Sequence, residues 1–71
     1  MPHYPVLKPR EIISALSKKG YKFKRQRGSH AIYSDGHHNV TIPMHDTVDT
    51  FTLKSILQTV EIELDEFLKL L

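Results

Sequence analysis

The spacing of hydrophobic residues in the first part of the chain predicts a helix. Ile12 and Leu16 lie one helical turn apart on a single apolar stripe, with polar residues on the other side. Pro9 suits the first turn because its missing N–H has no partner there, and Gly20 suits the residue after the last turn. The sequence therefore predicts a first helix over residues 9–19.

The middle of the chain has the period of a β-sheet. Residues 21–27 alternate between two sets of side chains, and Gly28 then interrupts the pattern. Residues 29–34 and 39–42 are rich in β-favouring side chains and flank the turn pair Asp35-Gly36, which predicts a hairpin. A regular first strand would carry on one face Tyr21, Phe23, Arg25 and Arg27.

Helical spacing returns in the last third of the chain. Two apolar stripes are interpreted as core, and Thr52 is the expected N-cap of the first. The predicted order is therefore α-β-β-β-α-α, in the α+β class. A three-stranded antiparallel sheet in this order needs helices on one face, and its other face stays open. The stripes consist of Leu53, Ile56, Leu57 and Val60, then of Leu64, Phe67, Leu68 and Leu71.

The length of the hairpin loop decides which face of the sheet carries His30, because a shift of one residue turns every side chain over. An odd loop would bury His30 and group Ile32 with Val40. An even loop collects the apolar residues on the core side, and we favour it for that reason. The core face would then carry Ala31, Tyr33, Val40 and Ile42, and the open face His30, Ile32 and Thr41.

Size and composition restrict the function classes. The 71 residues are expected to form one domain, residues 1–71, with a thin core and little room for an enclosed pocket. The absence of cysteine excludes disulfides and thiolate metal sites and fits the cytoplasm. No apolar run is long enough to span a bilayer, and residues 1–10 lack the pattern of a secretion signal.

Positive charge is concentrated between residues 12 and 34. This stretch holds six cations and no acidic residue, whereas acidic residues dominate from Asp46 onward. Such a segment is typical of proteins that bind a polyanion, although it also fits a solvated surface without a partner. The cations are Lys18, Lys19, Lys22, Lys24, Arg25 and Arg27.

The segment from Arg25 to His30 combines groups that suit phosphodiester cleavage. The imidazole of His30 titrates near neutral pH and can transfer a proton, while arginine can hold a phosphate through two hydrogen bonds. Gly28 would let a phosphate approach the backbone. The same pattern also fits a turn glycine followed by an ordinary strand histidine, and the residues alone leave both interpretations open.

The other histidines and the aromatic residues give weaker signals. His37, His38 and His45 do not supply three or four convergent ligands, so we expect loop histidines and no metal site. No glycine-rich phosphate loop is present, and no cofactor is expected. Phe23 and Tyr33 could stack on bases, but core packing is the simpler interpretation.

Several of these motifs together resemble the HicA-type mRNA interferase toxins of HicA/HicB toxin–antitoxin systems. Gly28-Ser29-His30 followed by Ile32-Tyr33 resembles that family's second strand, and residues 40–43 followed by His45 resemble its third strand and exit. Residues 52–57 and 66–71 resemble its two C-terminal helical stretches. The resemblance covers nearly the whole chain in the expected order.

The resemblance implies a fold like that of a double-stranded-RNA-binding domain, with His30 as the catalytic residue of an endoribonuclease that cleaves mRNA. It also implies a HicB-type antitoxin that binds and blocks the toxin. His45 is the nearest candidate for a second acid–base group. The expected RNA contacts are Lys22, Lys24, Arg25, Arg27, Gly28 and Ser29.

Two other functions fit the same residues. One is an RNA-binding module of this fold that performs no chemistry, since a fold does not determine a function. The other is an interaction protein whose basic face meets an acidic protein partner. Cleavage of RNA in the presence of a chelator would separate the first of these from an endoribonuclease.

Overall fold

A computed structural model describes residues 4–71. Residues 1–3, at the start of the segment in which a secretion signal was not predicted, lie outside the described residues. The elements are α1 (Pro9–Ser17), β1 (Lys22–Arg27), β2 (His30–Ser34), β3 (Asn39–Pro43), α2 (Thr50–Val60) and α3 (Leu64–Leu70). The strands form one antiparallel sheet in the order β1-β2-β3. The predicted α+β class and element order are confirmed, and the architecture fits the double-stranded-RNA-binding-domain type.

The β2–β3 hairpin has the even register that places His30 on the open face. Residues 35–38 connect the strands, and Tyr33 pairs with Val40. Because a slip of one residue would bury the polar set, the apolar alternation of the two strands selects this register. The inner face carries the buried residues Ala31, Val40 and Ile42, and the open face carries His30, Ile32 and Thr41.

The helices build the core together with the inner face of the sheet. α2 packs against β3, and α1 packs against α3. Phe67 of α3 is fully buried, which stabilises the fold by about 1.5–3 kcal/mol. Leu68 and Leu71 are 41% and 50% exposed, so the last apolar stripe contributes less to the core than its spacing predicts. None of the helices within residues 4–71 is long and apolar enough to cross a membrane.

The first helix forms close to where the sequence predicts it. The Glu11 carboxylate accepts a hydrogen bond from the backbone N–H of Lys8 at 2.9 Å, and Pro9 opens the first turn. The helix ends at Ser17, slightly earlier than predicted, because the chain leaves it through a turn in which Gly20 has a φ of +91°. Glycine adopts that left-handed backbone conformation without a steric penalty.

The second helix begins earlier than predicted, and the assignment of Thr52 as its N-cap was wrong. The N-cap is Asp49, whose Oδ1 accepts a hydrogen bond from the backbone N–H of Thr52 at 2.7 Å. Just before this cap, Val48 is buried and forms a β-bridge with Leu7. This bridge fixes the backbone of Val48. Asp49 is the next residue in the chain, and its carboxylate caps the helix.

Candidate functional site

His30 is the first residue of β2 and is exposed on the open face of the sheet. The short turn Gly28-Ser29 leads into it, and Gly28 has a φ of +60°, which favours glycine. The carbonyl of Ser29 accepts a hydrogen bond from the backbone N–H of Met44 at 2.6 Å. This bond joins the turn to the residue after β3, so the backbone next to His30 is fixed on both strands.

A β-bulge at Lys24 changes which residues of β1 share a face. Phe23 pairs with Tyr33, but Arg25 pairs with Ile32, so Lys24 is an extra residue in the ladder. A bulge of this kind turns the alternation over at that point. The prediction of one regular face running through Phe23 and Arg25 was therefore wrong, and Arg25 lies on the open face.

Arg27 lies directly across the β1–β2 ladder from His30, and Pro43 of β3 pairs with His30 on its other side. Residues paired in this way have their Cβ atoms about 4.5–5.5 Å apart, which is close enough for both side chains to reach one phosphate group. The cations of β1 are all exposed, and none forms an ion pair within the described part of the chain: Lys22, Lys24, Arg25 and Arg27.

His30 and His45 line one open groove, with a volume of about 610 Å³, beside β3. His45 reaches it from residues 44–49, which connect the end of β3 to the start of α2. Two imidazoles in one groove can serve as proton acceptor and proton donor. The sequence suggests His45 as a second acid–base group, and the structure brings it into the groove of His30. The remaining lining residues are Thr41, Pro43, Thr47, Val48, Asp49 and Thr52.

Asp49 is the residue of this groove that the sequence interpretation missed. Hydrogen bonds from the backbone N–H and then the side chain of Thr52 lower the pKa of the Asp49 carboxyl, and nearby His45 contributes a smaller lowering. Asp49 is therefore an ionised carboxylate at neutral pH. The spacing Asp-x-x-Thr directly before an apolar stripe is a helix N-cap signal that could have identified it.

A second group of titratable side chains lies at the opposite end of β2. His38 Nε2 is 2.8 Å from Glu61 Oε2, and its Nδ1 is 3.5 Å from Asp35 Oδ2. The hydrogen bond with Glu61 has the largest effect in raising the pKa of His38, and the contact with Asp35 raises it further. Backbone N–H groups of His38 and His37 lower the pKa of Asp35 to about 2.

This second group ties the β2–β3 loop to the C-cap of α2, which is Glu61. His37 and His38 lie in the loop, as predicted, and His45 lies in the connection to α2. Within residues 4–71, no three histidine, cysteine or acidic side chains converge in a way that could hold a metal ion.

Phe23 does not pack in the core, so the core interpretation of its side chain was wrong. It is 57% exposed, and its ring meets the ring of Tyr33 edge to face, with the centroids 5.7 Å apart. Tyr33 itself is half-buried and packs against the core. The difference arises because α2 packs against β3, at the other edge of the sheet, and all residues of β1 are exposed.

Fold and groove together define a small α+β protein with a fold like that of a double-stranded-RNA-binding domain. The open face of its sheet carries His30 between the basic strand β1 and the groove beside β3. A family model for the HicA toxin of bacterial toxin–antitoxin systems matches residues 9–62, more than half of the chain. The chain belongs to the HicA toxin family, which confirms the resemblance found in its sequence. It is thus a toxin of a toxin–antitoxin system, and an antitoxin is its implied partner. No curated protein matches the chain significantly.

Proposed function

We propose that this toxin is a metal-independent endoribonuclease that cleaves mRNA, with His30 as its catalytic residue and residues 1–71 acting as one domain. The observation that carries the proposal is the position of His30, which shares a groove with His45 and lies across from Arg27. One imidazole can accept a proton while the other donates one. A guanidinium group beside them can hold the phosphate through two hydrogen bonds.

The proposed reaction uses the 2′-hydroxyl of the RNA as its own nucleophile. One of the two imidazoles, His30 or His45, removes the hydroxyl proton while the oxygen attacks the adjacent phosphorus. The other imidazole gives a proton to the 5′-oxygen as the bond between phosphorus and that oxygen breaks. Arg27 stabilises the negative charge that develops on the phosphate oxygens. The products are a 2′,3′-cyclic phosphate and a 5′-hydroxyl, and the step balances without a metal ion.

The RNA backbone is proposed to follow β1 toward the catalytic groove. The exposed cations of this strand would neutralise phosphates, and Gly28 and Ser29 would let one phosphate approach the backbone of the turn. For single-stranded RNA, three or four engaged cations predict a log–log salt slope of roughly −2 to −3. The residues concerned are Lys22, Lys24, Arg25, Arg27, Gly28 and Ser29.

The antitoxin is proposed to be of the HicB type and to act in the cytoplasm by covering the open face of the sheet. Acidic side chains of the antitoxin would face Arg25 and Arg27 and exclude RNA from His30. RNA binding by the toxin–antitoxin complex tests this arrangement. If the inhibited complex bound RNA at this face with undiminished affinity, inhibition by occupancy would be wrong.

The catalytic role is tested with His30→Ala and, as a matched control, His37→Ala in the exposed hairpin loop. Cleavage of a labelled RNA in excess EDTA should fall by about 10²–10⁴ for His30→Ala and remain unchanged for His37→Ala. RNA affinity and melting temperature should stay near those of the wild type, because His30 is exposed. His45→Ala should also reduce cleavage if His45 is the second acid–base group.

Two outcomes would contradict the proposal. Near-normal cleavage by a well-folded His30→Ala protein would remove His30 from the reaction. Binding of RNA by the wild type with no cleavage, either in EDTA or with added Mg²⁺, would instead support an RNA-binding module that performs no chemistry.

A further inference from the structure

The groove of His30 continues along β3 and α2. A second cavity, of about 240 Å³, adjoins the first, because Thr41 and Thr52 line both. Hydroxyl-bearing side chains of β3, of α2 and of the connection between them line this path. We call it the hydroxyl groove, and its hydroxyl-bearing residues are Thr41, Thr47, Thr52, Ser55 and Thr59.

The hydroxyl groove has a different charge from β1. Among the described residues, no lysine or arginine lines either cavity, whereas the ionised carboxylate of Asp49 does. Beyond His30 and His45, a phosphate in this groove would meet no cationic side chain of the described residues. Because β2 is the central strand, the cationic β1 and the hydroxyl groove lie on opposite sides of His30. The part of the groove beyond the two histidines therefore suits polar groups that carry no negative charge.

Two hydroxyl groups that line the second cavity are available to a ligand. Thr41 and Ser55 are exposed, and their hydroxyls make no hydrogen bond to any of the described residues. Thr59, by contrast, already donates its hydroxyl proton to the carbonyl of Ser55 at 3.0 Å. A hydroxyl group both donates and accepts, so it can pair with the edge of any nucleobase and with a ribose hydroxyl.

We infer that the hydroxyl groove is a subsite for unpaired nucleotides next to the cleaved bond. It binds their base edges and ribose hydroxyls through Thr41 and Ser55, while their phosphates face the cations of β1. The inference rests on the proposed RNA cleavage at His30. A base enters a concave groove when it is splayed out of its stack, which unpaired RNA allows and a duplex resists.

The test measures RNA binding in a His30→Ala background, so that no cleavage occurs. The affinity for a fluorescently labelled oligoadenylate is followed over a range of salt concentrations, with and without Thr41→Val and Ser55→Ala. Losing two hydrogen bonds should weaken binding by about tenfold. The salt slope should stay the same because no phosphate contact is removed. Replacing Arg25 and Arg27 with glutamine should instead make the slope shallower by about 1.4.

Two further variants and one duplex probe test whether the loss of affinity is specific to the hydroxyl groove. Ser14→Ala, on α1, is the matched control and should bind like its parent, whereas Thr41→Ser keeps the hydroxyl and should keep the affinity. Melting curves check that each variant folds. A duplex of oligoadenylate and oligouridylate of the same length should bind more weakly than the single strand and lose little affinity with the double variant.

Each alternative outcome overturns the inference in a distinct way. Unchanged affinity of a folded double variant, or absence of RNA binding, would exclude the subsite. A shallower salt slope would show that these residues act near phosphates, and equal losses for duplex and single strand would indicate a duplex-binding surface. Cleavage by the wild type is measured separately, so a catalytically inactive chain that still binds RNA through this groove would contradict the proposed function alone.

Discussion

Arg27 and His30 face each other across the β1–β2 ladder, and both are exposed on the open side of the sheet. The pair is separated along the chain only by the turn Gly28-Ser29, so its geometry depends on local structure. Arg25 joins this side only through the bulge at Lys24. The arrangement predicts that the two arginines act on the same substrate as His30.

Replacing Arg27 with glutamine should lower RNA cleavage by roughly 10- to 100-fold, since a hydrogen bond to a charged group contributes about 1.5–3 kcal/mol. The melting temperature should change little, because Arg27 is exposed and forms no ion pair among the described residues. Arg27→Lys should recover only part of the activity, since lysine cannot form two parallel hydrogen bonds. Lys69→Gln on α3 is the control, and equal activity of the two glutamine variants would contradict a role for Arg27.

Deleting Lys24 should leave the faces of β1 unchanged. Without the extra residue, Phe23 can still pair with Tyr33 and Arg25 with Ile32, now in a regular ladder. The shortened protein should therefore fold and retain most of its cleavage activity. Its RNA affinity should fall slightly, because one cation is lost.

The matched control for that deletion is the removal of Gln26, which shortens β1 by the same amount. In a ladder anchored at Arg27, this change would pair Arg25 with Ala31 and turn it toward the core. Cleavage should fall clearly further than after deletion of Lys24. Gln26→Ala corrects for the lost hydrogen bond from Gln26 Nε2 to the carbonyl of Gly28, and equal activities of the two deletions would exclude the proposed importance of the bulge.

Replacing Asp49 with alanine should lower the melting temperature by roughly 4–8 °C, because the N-cap of α2 is lost. Asp49→Asn should keep most of the stability, since asparagine also caps helices. Thr52→Ala should have a smaller effect, because its backbone N–H still donates to Asp49. Thermal melts followed by circular dichroism measure all three. A larger loss for Thr52→Ala than for Asp49→Ala would contradict the assignment of the cap.

The contacts of His38 should make stability depend on pH. Contacts with Glu61, which has the larger effect, and with Asp35 raise the pKa of His38 above its ordinary value of 6.5. Folding therefore favours the protonated form of His38. The resulting stabilisation is fully present below pH 6.5 and is lost as the pH rises through the folded-state pKa. The melting temperature should therefore fall over that interval in the wild type. His38→Gln should flatten the dependence, and Glu61→Gln should weaken it.

The lowered pKa of Asp35 gives stability the opposite dependence on pH. Its pKa is lowered from 3.8 to about 2 by backbone hydrogen bonds from His38 and His37, so its contribution is present above pH 3.8 and lost as the pH falls toward 2. Melts at both ends of the pH range separate the two groups. His37→Gln serves as the control, because only its backbone contacts Asp35. A full pH dependence in His38→Gln would show that another group causes it.

The sequence alone could predict the elements and the side of the sheet on which His30 lies. Apolar alternation in β2 and β3 favours the register that groups Ala31 and Tyr33 with Val40 and Ile42, and this register directs His30 outward. The helical stripes and Gly20 set the approximate bounds of the helices. These features depend on neighbours close in the chain, which is why a pattern of residues is enough to reveal them.

The site itself required the tertiary structure. No local signal in residues 22–27 marks Lys24 as a bulge, because the extra residue has meaning only against its partner strand. His45 and Asp49 share a groove with His30 only because residues 44–49, the connection between β3 and α2, lie beside β3. The exposure of Phe23 likewise depends on where the helices pack. Composition and periodicity thus determine which residues are available for chemistry, whereas packing between distant segments decides which of them share a groove.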